Sequence, residues 1–110
     1  MKYVTVDGVR YVEVPNTTEF KIIRTDRAGV FFAEIESRDG STMVLRNARR
    51  LWSWSGAASL SQLAVDGTSN PSGCKFPVSV SRIEVLGVIE VLDVTVSASL
   101  SIEGVPVWEA

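Results

Sequence analysis

The sequence predicts an α+β domain: mostly an antiparallel β meander, with one short helix over about 55–67 and a possible second near 94–103. Three observations carry this expectation. Turn signals recur at short intervals, at Asp7-Gly8, at Asp26 to Gly29 and at Arg38-Asp39-Gly40. The runs between them are rich in Val, Ile, Phe and Tyr and alternate with the period of a strand. Further along, Leu60, Leu63 and Ala64 fall at i, i+3 and i+4, which is the spacing of one helical face.

Taken in order, residues 2–14 read as a hairpin about Asp7-Gly8, since Asp-Gly supplies the positive φ angles of a tight turn, and Pro15-Asn16 ends it. Phe20 to Arg24 is a short strand. Val30 to Ser37 is a stronger one, with Phe31, Ala33 and Ile35 on one face, and Thr42 to Asn47 completes a second hairpin. The texture changes at Ala48. Over 55–67 Ser55 is the expected N-cap and Gly67 the residue past the C-terminus. Thr68 to Gly73 reads as a polar loop. Phe76 to Val80 reads as a short strand, with Pro77 suited to its start. Arg82 to Leu92 is one long strand or two, with Gly87 as the bend. Residues 92–102 carry two patterns. Leu92, Val94, Val96, Ala98, Leu100 and Ile102 alternate strictly, whereas Val94, Ala98 and Ile102 make a sparse i, i+4 stripe; the serines and β-branched residues favour the strand. Gly104 to Trp108 is extended, with Trp108 as an anchor.

The 110 residues suit one domain spanning 1–110. Apolar residues at 45% and charged residues at 22% are ordinary globular usage, so a folded core is expected. A net charge of −2 gives no reason to expect binding to duplex nucleic acid or to an anionic membrane. The apolar stretch Ile83 to Val96 is broken by Glu84, Glu90 and Asp93, so no membrane span is expected. The start MKYVTVDGVRYVEV lacks the continuous apolar run of a signal peptide. Together with a single cysteine, Cys74, this fits a reducing cytoplasm. Cys74 itself reads as a small buried hydrophobe before it reads as a reactive thiol.

There is no histidine. That removes Ser-His and Cys-His nucleophile activation, the commonest general base and the usual zinc ligands, so no catalytic residue, metal or cofactor is assigned and no enzyme is expected. There is no phosphate-binding glycine loop. Glu34 and Glu36 share a strand face, as a solvated pair before a catalytic one.

The unusual stretch is RNARRLWSWSGAASLSQL, residues 46–63. Arg46, Arg49 and Arg50 offer planar forks for phosphate or carboxylate. In an extended 51–54 segment Trp52 and Trp54 point to one side and offer flat faces to a base. A helix opening at Ser55-Gly56-Ala57 offers amides to an anion. The candidate ligand-binding residues are therefore Arg46, Arg49, Arg50, Trp52, Trp54, Ser55, Ser59 and Gln62. Beside this stands the plainer reading, in which the tryptophans are core or interface residues and the arginines a solvated rim.

The residues Asn47-Ala48-Arg49-Arg50, Trp52, Trp54-Ser55-Gly56-Ala57-Ala58-Ser59-Leu60-Ser61-Gln62-Leu63-Ala64, Gly67, Asn70-Pro71, Cys74-Lys75-Phe76 and Gly104-Val105-Pro106-Val107-Trp108 resemble a family of small phage and prophage proteins of unknown function. The resemblance covers roughly residues 20–108. It implies a phage origin, action in the cytoplasm of an infected bacterial host, and helix before Gly104; it transfers no functional residues. By analogy of parts, it points to a homo-oligomeric sponge that sequesters a nucleotide-derived immune signal, a cyclic oligonucleotide or an ADP-ribose-type molecule, and so blocks host defence. The alternative is a small virion, assembly or protein-interaction module.

Overall fold

In the computed structural model, which describes residues 2–6, 9–13 and 17–110, the turn signals become hairpins. β1 (Lys2–Val6) and β2 (Val9–Glu13) pair antiparallel, from Lys2 opposite Glu13 to Val6 opposite Val9. The expected Asp7-Gly8 turn and Pro15-Asn16 break lie outside the described residues. β3 (Thr17–Thr25), β4 (Val30–Asp39), β5 (Thr42–Arg50), β6 (Val80–Val85) and β7 (Val88–Thr95) form a second antiparallel sheet in the order β6-β5-β4-β3-β7.

β3 to β6 follow one another as the expected meander. β7 departs from it by pairing with the far side of β3. The cause is the two-residue link Leu86-Gly87, which draws the two sheet edges together. The Asp26 amide donates to Gly87 O (3.0 Å) and the Val88 amide donates to Ser41 O (2.9 Å). Turns from opposite ends of β4 thus meet at Gly87, and the sheet curls. Gly87 has φ +72°, and a Cβ there would run into the Asp26 carboxylate, so the bend needs glycine. Two bulges between β4 and β5 help the curl. One leaves Glu36 unpaired on β4. The other lies beside Asn47 on β5, whose φ of 51° is a conformation asparagine tolerates.

Consecutive residues of β3 and of the first half of β4 are buried on both faces, which is why FKIIR and VFFAEI read as almost continuous apolar runs. Neighbours in sequence serve opposite cores. Ile23, Phe31, Ala33, Met43, Leu45, Ala48, Val85 and Val88 form one cluster. Ile22, Phe32 and Val94 face the other, under α1 (Leu60–Asp66), α2 (Val96–Glu103), Leu51, Phe76 and Val105. No helix among the described residues is long and apolar enough to cross a membrane.

Several sequence expectations are corrected here. β5 runs on to Arg50, past the expected change at Ala48. The first helix spans Leu60–Asp66 and not 55–67, and its N-cap is Ser59, whose Oγ accepts from the Gln62 amide, not Ser55. Gly67 does cap its far end, with its amide donating to Leu63 O and φ +75°. The 68–73 loop contains a short 3-10 turn, Pro71–Gly73. Phe76 to Val80 is not a strand: Lys75 bridges Ser53, Phe76 bridges Val107, and pairing to the sheet starts only at Val80. Gly87 does divide 82–92 into two strands. The 92–102 alternation fails after Thr95, whose hydroxyl accepts from the Ala98 amide and starts α2. The i, i+4 stripe prevails: Ala98 and Ile102 are buried, while Val96 and Leu100 lie exposed. At the end of the chain Val105 is the buried anchor, and Trp108 is half exposed beside Lys75.

Candidate functional site

The bulge at Asn47 re-phases β5, so that Ala48 enters one core and the next residue, Arg49, is buried towards the other. Arg49 is only 6% exposed. Its Nε donates to Pro77 O (3.2 Å), Nη1 to Ile102 O (3.0 Å), and Nη2 to Phe76 O (3.1 Å) and Val105 O (2.7 Å). The guanidinium also lies 5.5 Å from the Phe76 ring centre. Ile102 O belongs to the last turn of α2, where orphan carbonyls and the negative end of the helix dipole attract a cation. Burial pulls the guanidinium below the usual arginine value. Arg49 therefore clamps α2 and the 76–77 segment to the sheet.

Arg46 points to the outer sheet face. Its Nε lies 2.5 Å from Glu36 Oε1, and Arg82 Nε and Nη2 reach Glu36 Oε2 at 3.1 and 3.0 Å. Two guanidiniums that sit directly opposite each other on β5 and β6 thus share the carboxylate that the β4 bulge presents. Hydrogen bonds from Arg82 and then Arg46 hold Glu36 below the usual carboxylate range, and Glu36 in turn raises Arg82. Glu34 accepts from Asn47 Nδ2 at 2.8 Å. The Glu34/Glu36 face is an exposed polar network.

Arg50 occupies a different place. Its guanidinium stacks 4.5 Å above the Phe31 ring centre, and Nη1 donates to Ala28 O in the β3–β4 turn. Gly29, at φ +99°, lets the side chain lie against the turn, since a Cβ there would sit 3.3 Å from Arg50 Nη1. Past Arg50 the chain stays extended: the Leu51 amide donates to Val30 O (2.8 Å), and Ser53 pairs with Lys75. Leu51 is buried, Trp54 packs half-buried against the helix-side core, and Trp52 is 64% exposed. Arg27, Gly29, Arg50, Trp52 and Trp54 line one open cleft of about 330 Å³.

Of the eight sequence candidates, the cleft brings together Arg50, Trp52 and Trp54. The other five are engaged elsewhere. Arg46 and Arg49 have the partners just described. Ser55 accepts from the Thr68 hydroxyl through its carbonyl and from Asn70 Nδ2 through its own hydroxyl. Ser59 caps α1, and Gln62 Oε1 accepts from the Ala58 amide. No helix opens at Ser55-Gly56-Ala57, so the expected amide cradle is absent there; Gly56 O instead accepts from Ser69. Arg27, which the sequence reading missed, joins the cleft because the register places Phe31 opposite Arg50 and so lays the 26–29 turn beside the exit of β5. Cys74 is buried, with its Sγ 3.5 Å from Ser55 O. Among the described residues no three His, Cys, Asp or Glu side chains are grouped to hold a metal ion.

Residues 19–102 match the family described as Domain of unknown function (DUF6948), and the chain belongs to that family. No curated protein and no solved structure matches the chain.

Proposed function

We propose that this family member is a non-enzymatic binding protein, and that the cleft between the 26–29 turn and residues 50–54 takes an anionic ligand with a flat face. One observation carries the reading: an exposed indole, Trp52, shares an open cleft with Arg27 and Arg50. An exposed tryptophan is suited to stack on a base. Arginine beside it supplies the fork for phosphate. Trp54 and Phe31 fix the inner wall, since one packs into the core and the other holds Arg50 from below.

With the phage resemblance of the sequence, the ligand class is a nucleotide-derived immune signal, cyclic or ADP-ribose-like. The role is then sequestration by a homo-oligomer in the cytoplasm of the infected host. Thermal-shift screening followed by calorimetry against cyclic dinucleotides, cyclic trinucleotides and ADP-ribose isomers tests it. A ligand at a hundred times its Kd stabilises by about 2.7 kcal/mol, which is a shift of roughly 10 °C for a domain of this size. Trp52→Ala and Arg27→Ala abolish that shift if the cleft is the site. No shift with any of the panel overturns the proposal.

A second reading, a protein-interaction or assembly module, is favoured by the exposed apolar residues Val80 on the β6 edge and Val78 and Leu86 just before and after that strand. Absence of the protein from purified virions would remove its virion form.

A further inference from the structure

β6 is a free edge. It pairs with β5 on one side, and among the described residues no backbone hydrogen bond reaches its other side. It has no proline and no lysine, and its register with β5 has no bulge from Val80 to Val85; its edge charges are Arg82 and Glu84, of opposite sign. Ile83 and Val85 turn into the core. Val80, Arg82 and Glu84 therefore share the outer face, and Leu86 follows them. Val80 is 47% exposed and Leu86 63%.

These side chains are self-complementary about Ile83. Three residues to either side stand Val80 and Leu86, both apolar. One residue to either side stand Arg82 and Glu84, of opposite charge. We propose that β6 pairs antiparallel with β6 of a second copy, about a two-fold axis through Ile83. Arg82 then faces Glu84 of the second copy, twice by symmetry, and Val80 faces Leu86 of the second copy, also twice. Cross-strand charge and apolar pairs of this kind are the units that stabilise a sheet. The neighbouring two-fold registers, centred on Arg82 or on Glu84, set like charges directly opposite and are disfavoured.

Charge within one copy points the same way. Arg46 and Arg82 share the single carboxylate of Glu36, and Glu84 of the same copy attracts Arg82 without an ion-pair contact. Glu84 of the second copy brings a further carboxylate to Arg82. The other sheet edge has no such complement. β7 carries Glu90 and Asp93, each already paired to a cation on β3, and no cation of its own.

The contact goes beyond the cleft and needs no ligand; it supplies the homo-oligomer of the proposed role, and a chain that stays monomeric can still give the nucleotide shift, so the pairing and the ligand site fail separately. Sedimentation equilibrium of the full chain at high micromolar concentration reads the mass, expected at twice the 12.0 kDa of one chain. Glu84→Arg, on an exposed side chain outside the ion pairs of the described residues, sets Arg against Arg and yields monomer with an unchanged circular dichroism spectrum. The double swap Arg82→Glu with Glu84→Arg restores the dimer. Val80→Cys with Leu86→Cys gives a disulfide-linked dimer on oxidation. Val80→Cys alone gives none, because six paired residues hold the two copies of position 80 roughly 20 Å apart. A monomeric parent chain, a Glu84→Arg variant that still dimerises, a folded double swap that stays monomeric, or cross-linking by Val80→Cys alone overturns the pairing.

Discussion

Replacing Arg49 with alanine removes the one guanidinium that joins β5, α2 and the 76–77 segment, and the hydrogen-bond geometry sets the scale of the loss. Four carbonyls lose a donor, but two keep another. Phe76 O retains the Trp108 amide at 3.0 Å, and Ile102 O retains the Val105 amide at 3.2 Å. Pro77 O and Val105 O retain no other partner among those bonds. A buried carbonyl left bare costs about 1–3 kcal/mol; Val105 is buried and Pro77 half-buried. Two of them give about 3 kcal/mol, near the low end because the variant no longer buries a charge. For a chain of this length the melting midpoint falls by about 10–15 °C. Denaturant unfolding with a parallel thermal scan measures it. Arg49→Met keeps the aliphatic stem against Phe76 and loses a similar amount, because the missing hydrogen bonds are the same. Arg49→Lys keeps the charge and part of the bonding and falls between. A stability for Arg49→Ala within about 0.5 kcal/mol of the parent, the range of an ordinary surface change, refutes the clamp.

Glu36 titrates below the usual carboxylate range in the folded chain because Arg82 and Arg46 hold its charged form. Its contribution to stability is therefore full above the ordinary glutamate value, about 4.3, and is lost as pH falls from there through the depressed folded value; Glu36→Gln flattens the acid limb of a stability-versus-pH curve and leaves its neutral shape unchanged. Gly87→Ala forces a side chain into φ +72° and against Asp26, costing about 2 kcal/mol or more in denaturant unfolding. Ser59→Ala removes the α1 cap and lowers stability by about 1 kcal/mol, while leaving any nucleotide shift at the cleft intact, since Ser59 does not line it.

Much of the fold was legible because it is written locally. The Asp26–Gly29 and Asp39-Gly40 turns, the strands beside them, the break at Gly87 and the cap at Gly67 all follow from residues within a few positions of each other. The helix start was legible too, in Ser59 and Gln62 three apart, but Ser55 offered the same hydroxyl to a reading that looked no further. What decides between them is distant: the Ser55 carbonyl and hydroxyl are held by Thr68 and Asn70. Residues 96–102 misled because their alternation fits a strand, whereas the cap at Thr95 and the burial of Ala98 and Ile102 against α1 and β3 favour a helix. The curl of the sheet and the role of Arg49 had no local signal at all. All four of its acceptors lie 27 or more residues away. The cleft was half legible: Arg50, Trp52 and Trp54 were visible as a cluster, and Arg27 joins them only through strand register.

The chain has three tryptophans, and they divide the surface in a way one experiment can read. Trp52 and Trp54 line the proposed cleft, and Trp108 lies in a separate one beside Pro71 and Cys74. In a nitrogen-15 correlation spectrum each indole gives one side-chain signal. Titration with the nucleotide that gives the largest thermal shift should move the Trp52 and Trp54 indole signals along saturable curves with one Kd and leave Trp108 in place. Movement of Trp108 alone, or no saturable movement of Trp52, contradicts the assignment of the cleft as the binding site.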